Sequence, residues 1–239
     1  CFDTAVVYRG WDRKESLIGS WMDLRGVREE CVLIDKGAHS PHCWPHEMEA
    51  EVDRALANHR SDYIDIYMMH RDNPRVPVEE FLEVISTLLD KEKIRSYGFS
   101  NWTLERYDEI RSTASKNKLP LPIGLSNQLS LAEPLREIWP ESVSVFDQKS
   151  REWLKETKTV LFPWSSQAGG FFAFSANDPA FQSSIFQKNW VSPENLKRKK
   201  AAEELAHKKG ISPVNIALSY VLHQPFPVFP LIGPRNLRE

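Results

Sequence analysis

Short apolar runs recur along this chain about thirty residues apart, and a charged helical pattern separates each run from the next. That spacing is typical of one strand followed by one helix, and repeated units of this kind build a parallel sheet. The clearest run is Tyr63-Ile64-Asp65-Ile66-Tyr67-Met68-Met69-His70, which ends at Arg71-Asp72-Asn73-Pro74. Because it is short and rich in aromatic and β-branched residues, we expect a buried strand there rather than a helix.

The pattern predicts seven strands in all. They cover Cys1 to Val7, Cys31 to Ile34, Tyr63 to His70, Ile94 to Ser100, Pro122 to Gln128, Val160 to Ser165 and Val228 to Ile232. The predicted helices cover Lys14 to Arg25, Pro45 to Asn58, Val78 to Lys91, Leu104 to Asn117, Ser150 to Glu156, Ser192 to Lys209 and Ser212 to His223, with a long loop before Val191.

So many strand–helix units in series favour a (β/α)₈ TIM barrel over an open sheet. An open, dinucleotide-binding sheet would carry a glycine-rich fingerprint after an early strand, and the sequence has none there. Residues 1–239 are therefore expected to form a single barrel domain that is incomplete at both ends. The first strand and helix are expected to be absent, as are the C-terminal helices. Either an additional segment or chain is then expected to complete the barrel, or the chain is a fragment of a longer protein.

Composition excludes several classes of function. The net charge of −2 provides no electrostatic attraction to nucleic acid or to an anionic membrane. No apolar run reaches the roughly 18 residues that a membrane span requires. The three cysteines form an odd, sparse set, which suits a reducing compartment and a cytoplasmic location better than a disulfide framework.

Polar side chains stand at the carboxyl ends of the predicted strands, which converge on one mouth of a barrel. A tyrosine hydroxyl is a poor acid at neutral pH, since its pKa is near ~10 in water. A neighbouring lysine lowers that pKa, and an aspartate keeps the lysine charged. A histidine can polarise a substrate oxygen. Asp3, Tyr8, Lys36 and His70 thus suit delivery of a proton to a carbonyl oxygen as hydride reaches its carbon.

Structural alternatives remain open for these residues and for a second motif. Tyr8 and Lys36 could be ordinary rim residues, and His70 could be a core histidine. His39, His42, Cys43 and His46 have a spacing that could hold zinc. The same spacing also suits a pocket-lining loop that leads into a helix, and we expect no metal there.

These residues resemble the aldo-keto reductases. The likeness extends over nearly the whole chain in the correct order and spacing. Its motifs are Phe2-Asp3-Thr4-Ala5 with Tyr8, Glu15 and Leu17-Ile18-Gly19, then Ile34 with Lys36, Asp62 to His70, Gly98 with Ser100-Asn101, Gln128, Trp164 to Gly170, and Ile232-Gly233-Pro234-Arg235.

The resemblance implies a reductase that interconverts carbonyls, sugars among them, and alcohols with NADP(H) in preference to NAD(H). Tyr8 would be the general acid and base, Lys36 its pKa-lowering partner, Asp3 the anchor of Lys36, and His70 the residue that orients the substrate. The cofactor would be bound by Ser100, Asn101, Gln128, Trp164, Ser165, Gln167, Gly169, Gly233, Pro234 and Arg235. The alternative implied is a non-catalytic, cofactor-binding regulatory subunit of the same fold.

Overall fold

The computed structural model describes residues 1–8 and 11–234, with the side chains of all of these except residues 11–13. The chain divides into two compact units, Cys1–Gly124 and Leu125–Glu239. The expectation of one domain over residues 1–239 stays a prediction.

The first unit contains four neighbouring parallel strands in chain order. They are β1 (Phe2–Ala5), β2 (Leu33–Gly37), β3 (Ile64–Met69) and β4 (Ile94–Ser100). A helix follows each strand, namely α1 (Trp11–Arg25), α2 (Pro45–His59), α3 (Val78–Asp90) and α4 (Leu104–Lys116). The predicted strand–helix repeat is present in this unit.

Helix α3 shows why these segments are helical. It buries Val78, Phe81, Leu82, Ile85 and Leu88, and this spacing of three and four residues places them all on one face. The opposite face is charged and contacts solvent. Burial of such a stripe, rather than helix propensity alone, stabilises a helix of this length.

The second unit contains β5 (Gly124–Ser126), which begins at the last residue of the first unit, and β6 (Val160–Leu161). Its helices are α5 (Gln148–Thr157), α6 (Pro179–Gln182), α7 (Ser184–Trp190), α8 (Pro193–Lys209) and α9 (Pro213–Leu222). The prediction of a loop before Val191 was wrong for α6 and α7. Asp178 caps α6 by accepting from the amide of Ala180 at 2.8 Å, and Pro179 occupies its first turn.

The last predicted strand, Val228 to Ile232, is also corrected, because Val228 forms only an isolated parallel bridge with Leu161. Phe229 donates its amide to the Leu161 carbonyl at 2.8 Å, and Leu231 donates to Pro163 at 3.0 Å. Pro230 has no amide hydrogen to continue a ladder. In the part of the chain that the structure describes, no helix is long and apolar enough to cross a membrane.

Candidate active site

Asp3 and Lys36 form an ion pair between neighbouring strands. Ala5 pairs with Lys36 in the parallel register, and Asp3 lies two residues before Ala5, so both side chains project from the same face of the sheet. The Lys36 ammonium donates to Asp3 Oδ1. Only 2% of the Lys36 side chain is exposed, against 17% for Asp3, so one end of the pair is reachable from solvent.

Tyr8 lies against this pair from the turn that follows β1. Its hydroxyl donates to Asp3 Oδ2 at 3.3 Å, and Lys36 Nζ lies 5.7 Å from the centre of its ring. Its amide donates to the Ala5 carbonyl at 3.1 Å, which closes the turn. Three of the four predicted catalytic residues are thus in mutual contact.

The pKa of Tyr8 is raised above its ordinary value of 10.0, chiefly by burial and also by the charge of Asp3. Lys36 lowers this pKa, as expected from the sequence, but burial outweighs it. The net direction of the Tyr8 pKa is therefore upward. Tyr8 holds its proton at neutral pH and can donate it.

Lys36 keeps its positive charge. Burial lowers its pKa, but the negative charge of Asp3 and the hydrogen bonds to Asp3 and Tyr8 raise it, and the net direction is upward. An ammonium that is fixed in this way stabilises a phenolate as the proton leaves Tyr8.

His70 follows β3 and completes the group. Its ring stands edge-on to Tyr8 with the ring centres 6.1 Å apart, and edge-on to His39 at 5.0 Å. Burial, and then the charges of Lys36 and Arg71 and the nearby His39, place the pKa of His70 well below its usual 6.5. The imidazole is therefore neutral. Its Nδ1 is buried and has no hydrogen-bond partner among the described residues.

Ser100 and Asn101 end β4, and both are buried. The Asn101 amide donates to Ser100 Oγ at 3.0 Å and to the His70 carbonyl at 3.3 Å. Asn101 has a left-handed backbone with φ of 59°, which asparagine tolerates better than most residues. These contacts connect the predicted cofactor residues of the first unit to the backbone of His70.

A cavity of about 210 Å³ opens beside the reacting groups of the first unit. It is lined by Asp3, Thr4, Ala5, Tyr8, Lys14, Glu15, Leu17 and Ile18. The exposed wall of this cavity is mostly apolar, and the acidic proton of Tyr8 lies at its edge. Such a surface can hold the carbon skeleton of a small carbonyl compound.

In the second unit, Gln128 and Trp164 line one cavity of about 160 Å³. The Gln128 amide donates to Ser130 Oγ at 2.8 Å, and its oxygen accepts from Ser144 Oγ at 2.8 Å. The indole nitrogen of Trp164 is buried and has no hydrogen-bond partner among the described residues. A buried N–H usually has an acceptor, so this indole is an exception among the described residues.

The segment after Trp164 is a tight turn. Ser165 and Gly169 have φ of 47° and 59°, the carbonyl of Ser165 accepts from Ala168 at 2.8 Å, and that of Gln167 accepts from Gly170 at 3.1 Å. Further along the chain, Gly233 and Pro234 are exposed. Arg235 lies outside the described residues.

The histidine-rich loop after β2 does not gather its side chains. His42 Nδ1 lies 3.1 Å from Glu47, and the buried Cys43 thiol donates to the Arg71 carbonyl at 3.1 Å. Among the described residues, the one group of three metal-ligating side chains that approach each other is Glu15, Asp35 and His59. No pattern in the sequence indicates this group, because its members come from three different elements.

The chain is similar to known proteins in sequence and in fold. The sequence matches the model of the Aldo/keto reductase family over residues 1–239. It is 28% identical to aldo-keto reductase YhdN of Bacillus subtilis, over 98% of this chain and 70% of the relative. It is 26% identical to norsolorinic acid reductase stcV of Emericella nidulans, over 99% of this chain and 61% of the relative.

Solved structures show the same fold. A thermostable aldo-keto reductase in complex with the inhibitor epalrestat superposes with a TM-score of 0.71 at 22% identity, covering 98% of this chain and 72% of that one. An aldo-keto reductase from Klebsiella pneumoniae in complex with NADPH gives a TM-score of 0.69 at 21% identity, over 99% and 70%. The fold is therefore that of the (β/α)₈ barrel. The chain belongs to the aldo/keto reductase family, and thus to a family of oxidoreductases.

Proposed function

We propose that this protein uses NADPH to reduce aldehydes or ketones to alcohols, with Tyr8 as the proton donor. The observation that carries the proposal is the contact of Tyr8 with Asp3, beside the charged and buried Lys36. This is a proton donor with a fixed positive charge next to it. The family assignment supports the same chemistry.

The carbonyl oxygen of a substrate in the first-unit cavity would accept the Tyr8 proton. The neutral His70 would hold that oxygen with a ring nitrogen. Lys36, kept charged by Asp3, would stabilise the phenolate that remains. When the nicotinamide is bound, it supplies the hydride that reaches the carbonyl carbon.

The second unit has residues that suit such a cofactor. The buried indole N–H of Trp164 lacks an acceptor and lies beside a cavity, and an aromatic ring there could stack on a nicotinamide. Ser165, Gln167, Gly169, Gly233 and Pro234 would hold the phosphates, while binding of the nicotinamide amide by Gln128, Ser100 and Asn101 stays a prediction. NADP is proposed over NAD because solved relatives were crystallised with NADPH and NADP.

A steady-state assay tests the proposal. NADPH oxidation would be followed with a panel of sugars, aryl aldehydes and ketones, because relatives are named 6-dehydroglucose reductase and aryl-alcohol dehydrogenase. Tyr8→Phe should lower kcat by about 10²- to 10⁴-fold, since it removes the acid. Tyr63→Phe is the matched control, because that ring lies between two arginines in the same unit.

Equal rates for Tyr8→Phe and the parent protein would overturn the proposed mechanism. The non-catalytic alternative would appear as NADPH binding without turnover of any carbonyl. Binding is measured by quenching of tryptophan fluorescence, with Trp164→Phe as the variant that should lose the signal.

A further inference from the structure

A second buried cluster lies behind the Asp3–Lys36 pair. Thr4 and Asp35 are register partners on β1 and β2, and each follows or precedes a residue of the pair by one position. Their side chains therefore project from the opposite face of the sheet. Glu15 of α1 and His59, the last residue of α2, meet them there. The four residues are between 0% and 4% exposed.

Close packing of two helices brings Glu15 to His59. Gly19 lies one helical turn after Glu15, on the same side of α1. A Cβ atom on Gly19 would stand 2.5 Å from the Asn58 carbonyl oxygen and 2.6 Å from the His59 carbonyl. The Asn58 amide donates to Glu15 Oε2 at 2.9 Å. The two helices are thus in direct backbone contact at this cluster.

Glu15, Asp35 and His59 each offer one ligand atom, and these three atoms lie within 4.8 Å of one another. One imidazole nitrogen with two carboxylate oxygens is a donor set of Zn²⁺ and related divalent metals. Asp35 Oδ1 also accepts from the Thr4 hydroxyl at 2.5 Å. Metal-ligating carboxylates are commonly oriented by such a second hydrogen bond.

The imidazole of His59 provides an independent indication that something binds there. It is fully buried, and its Nδ1 has no hydrogen-bond partner among the described residues. Its Nε2 lies 3.4 Å from Thr4 Oγ1 and 3.7 Å from Asp35 Oδ1, which is long for a hydrogen bond. The Thr4 hydroxyl has one proton, and the 2.5 Å contact places it on Asp35. His59 Nδ1 is therefore a buried polar atom with no partner among the described residues, which is unfavourable.

We propose that Glu15, Asp35 and His59 bind one divalent transition-metal ion of the Zn²⁺ class. The ion would neutralise the buried carboxylates and give the imidazole a partner. Ligand atoms around zinc bonds of about 2.0–2.2 Å lie roughly 3.3 Å apart, so side-chain movements of about 1.5 Å would close the site. Through Glu15, His59 and Asp35, the ion links α1 and α2 to β2, which carries Lys36 and pairs with the strand of Asp3. This role does not depend on the proposed reaction.

Metal analysis of the purified full chain tests this site first. Because all three ligands are buried, the ion would enter as the chain folds. The protein is unfolded in chelator and refolded with Zn²⁺, with Co²⁺ as a spectroscopic probe, or without metal. About one Zn²⁺ per chain and a higher Tm with metal are expected. Bound Co²⁺ should show the visible bands of a site with a nitrogen ligand.

Variants separate this site from surface binding. His59→Gln should lose the bound ion, and Asp35→Asn, which keeps the side-chain shape, should weaken Zn²⁺ at least about tenfold. The matched control combines His42→Gln with His46→Gln. Those histidines are exposed and are the ones that would bind zinc adventitiously at the surface. The control should keep the ion.

Several results would overturn the proposal. One is a wild-type protein whose metal content and Tm are the same with Zn²⁺ and with chelator. Another is a loss of bound zinc in the variant with His42→Gln and His46→Gln but not in His59→Gln.

Discussion

The two faces of the sheet at β1 and β2 both carry charged or ionisable residues, but one face is partly open to solvent and the other is buried. On one face, Asp3 and Lys36 are matched in charge, and Asp3 is partly exposed beside Tyr8 and a cavity. On the other face, Asp35 and His59 stand 3.7 Å apart and have 2% and 0% of their side chains exposed. Asp3 at the first face can therefore meet a substrate, whereas Asp35 and His59 at the second face are closed to solvent.

The difference arises because successive side chains of a strand alternate in direction, which places the proposed reacting groups on one face and buried structural groups on the other. Residues 3 and 4 and residues 35 and 36 are chain neighbours, but successive side chains of a strand point to opposite sides. A change on the open face should therefore alter the reaction, whereas a change on the sealed face should alter stability and leave the reaction unchanged. Three substitutions test that division.

Lys36→Met should have the largest effect. It removes the charge that stabilises the Tyr8 phenolate, so kcat should fall by about 10²- to 10⁴-fold. It also leaves Asp3 without its partner, which should lower the free energy of unfolding by about 2–4 kcal/mol in urea denaturation, because Asp3 is partly solvated.

Lys199→Met is the control for Lys36→Met. Lys199 is a buried lysine of the second unit that donates to the carbonyls of Phe171 and Phe174 at 2.8 and 2.9 Å. This variant should lose stability and keep its turnover per folded molecule. Equal losses of turnover in both variants would mean that Lys36 has no special part in the reaction.

Gly19→Ala should act on the sealed face. In an open helix this change would stabilise by about 1 kcal/mol, but here the new Cβ would overlap the backbone of Asn58 and His59. We expect unfolding to become about 1–3 kcal/mol easier, as for overpacked cores. Ser20→Ala, on the same helix, should change stability little. Stabilisation by Gly19→Ala would show that the helices do not meet there.

The smallest expected effect is on the pH dependence of stability, which is tested with His70→Gln. The pKa of His70 is well below 6.5 in the folded protein, so the unfolded chain binds more protons. The contribution of the neutral His70 to the free energy of unfolding is complete above the ordinary histidine pKa of about 6.5. It is lost as pH falls below that value, with a slope of up to about 1.4 kcal/mol per pH unit. His70→Gln should flatten this slope in urea denaturation between acidic and neutral pH, and the exposed His223→Gln should not. An unchanged slope would contradict the neutral, buried His70.

Much of the open face could be predicted from sequence because its residues lie in or shortly after neighbouring strands. Repeats of one strand and one helix place Asp3, Lys36 and His70 at one edge, and the structure confirms that these residues lie together. The net direction of the Tyr8 pKa could not be predicted, since it depends on how deeply the ring is buried. The sequence predicts that Lys36 lies near Tyr8, but it does not show how far burial excludes water from the Tyr8 hydroxyl.

The sealed face was not predicted at all. In the sequence, Asp35 is only the residue before Lys36, and His59 is only a polar residue at the end of a helix. Neither position predicts a buried contact. Their meeting with Glu15 depends on the approach of α1 to α2 at Gly19, which is a packing detail. The prolines near Val228 were visible, and their missing amide hydrogens explain why that predicted strand is only a bridge.

The proton-donor role of Tyr8 is tested most directly by the rate of carbonyl reduction as a function of pH. NADPH that carries deuterium at the transferred position shows whether hydride transfer limits that rate. Because the pKa of Tyr8 is raised above 10.0, the rate should be constant through neutral pH and fall only as Tyr8 ionises above that value. Tyr8→Phe should be slow at every pH and lack this fall. A rate that already declines near neutral pH, or a decline that persists in Tyr8→Phe, would contradict the assignment of Tyr8 as the acid.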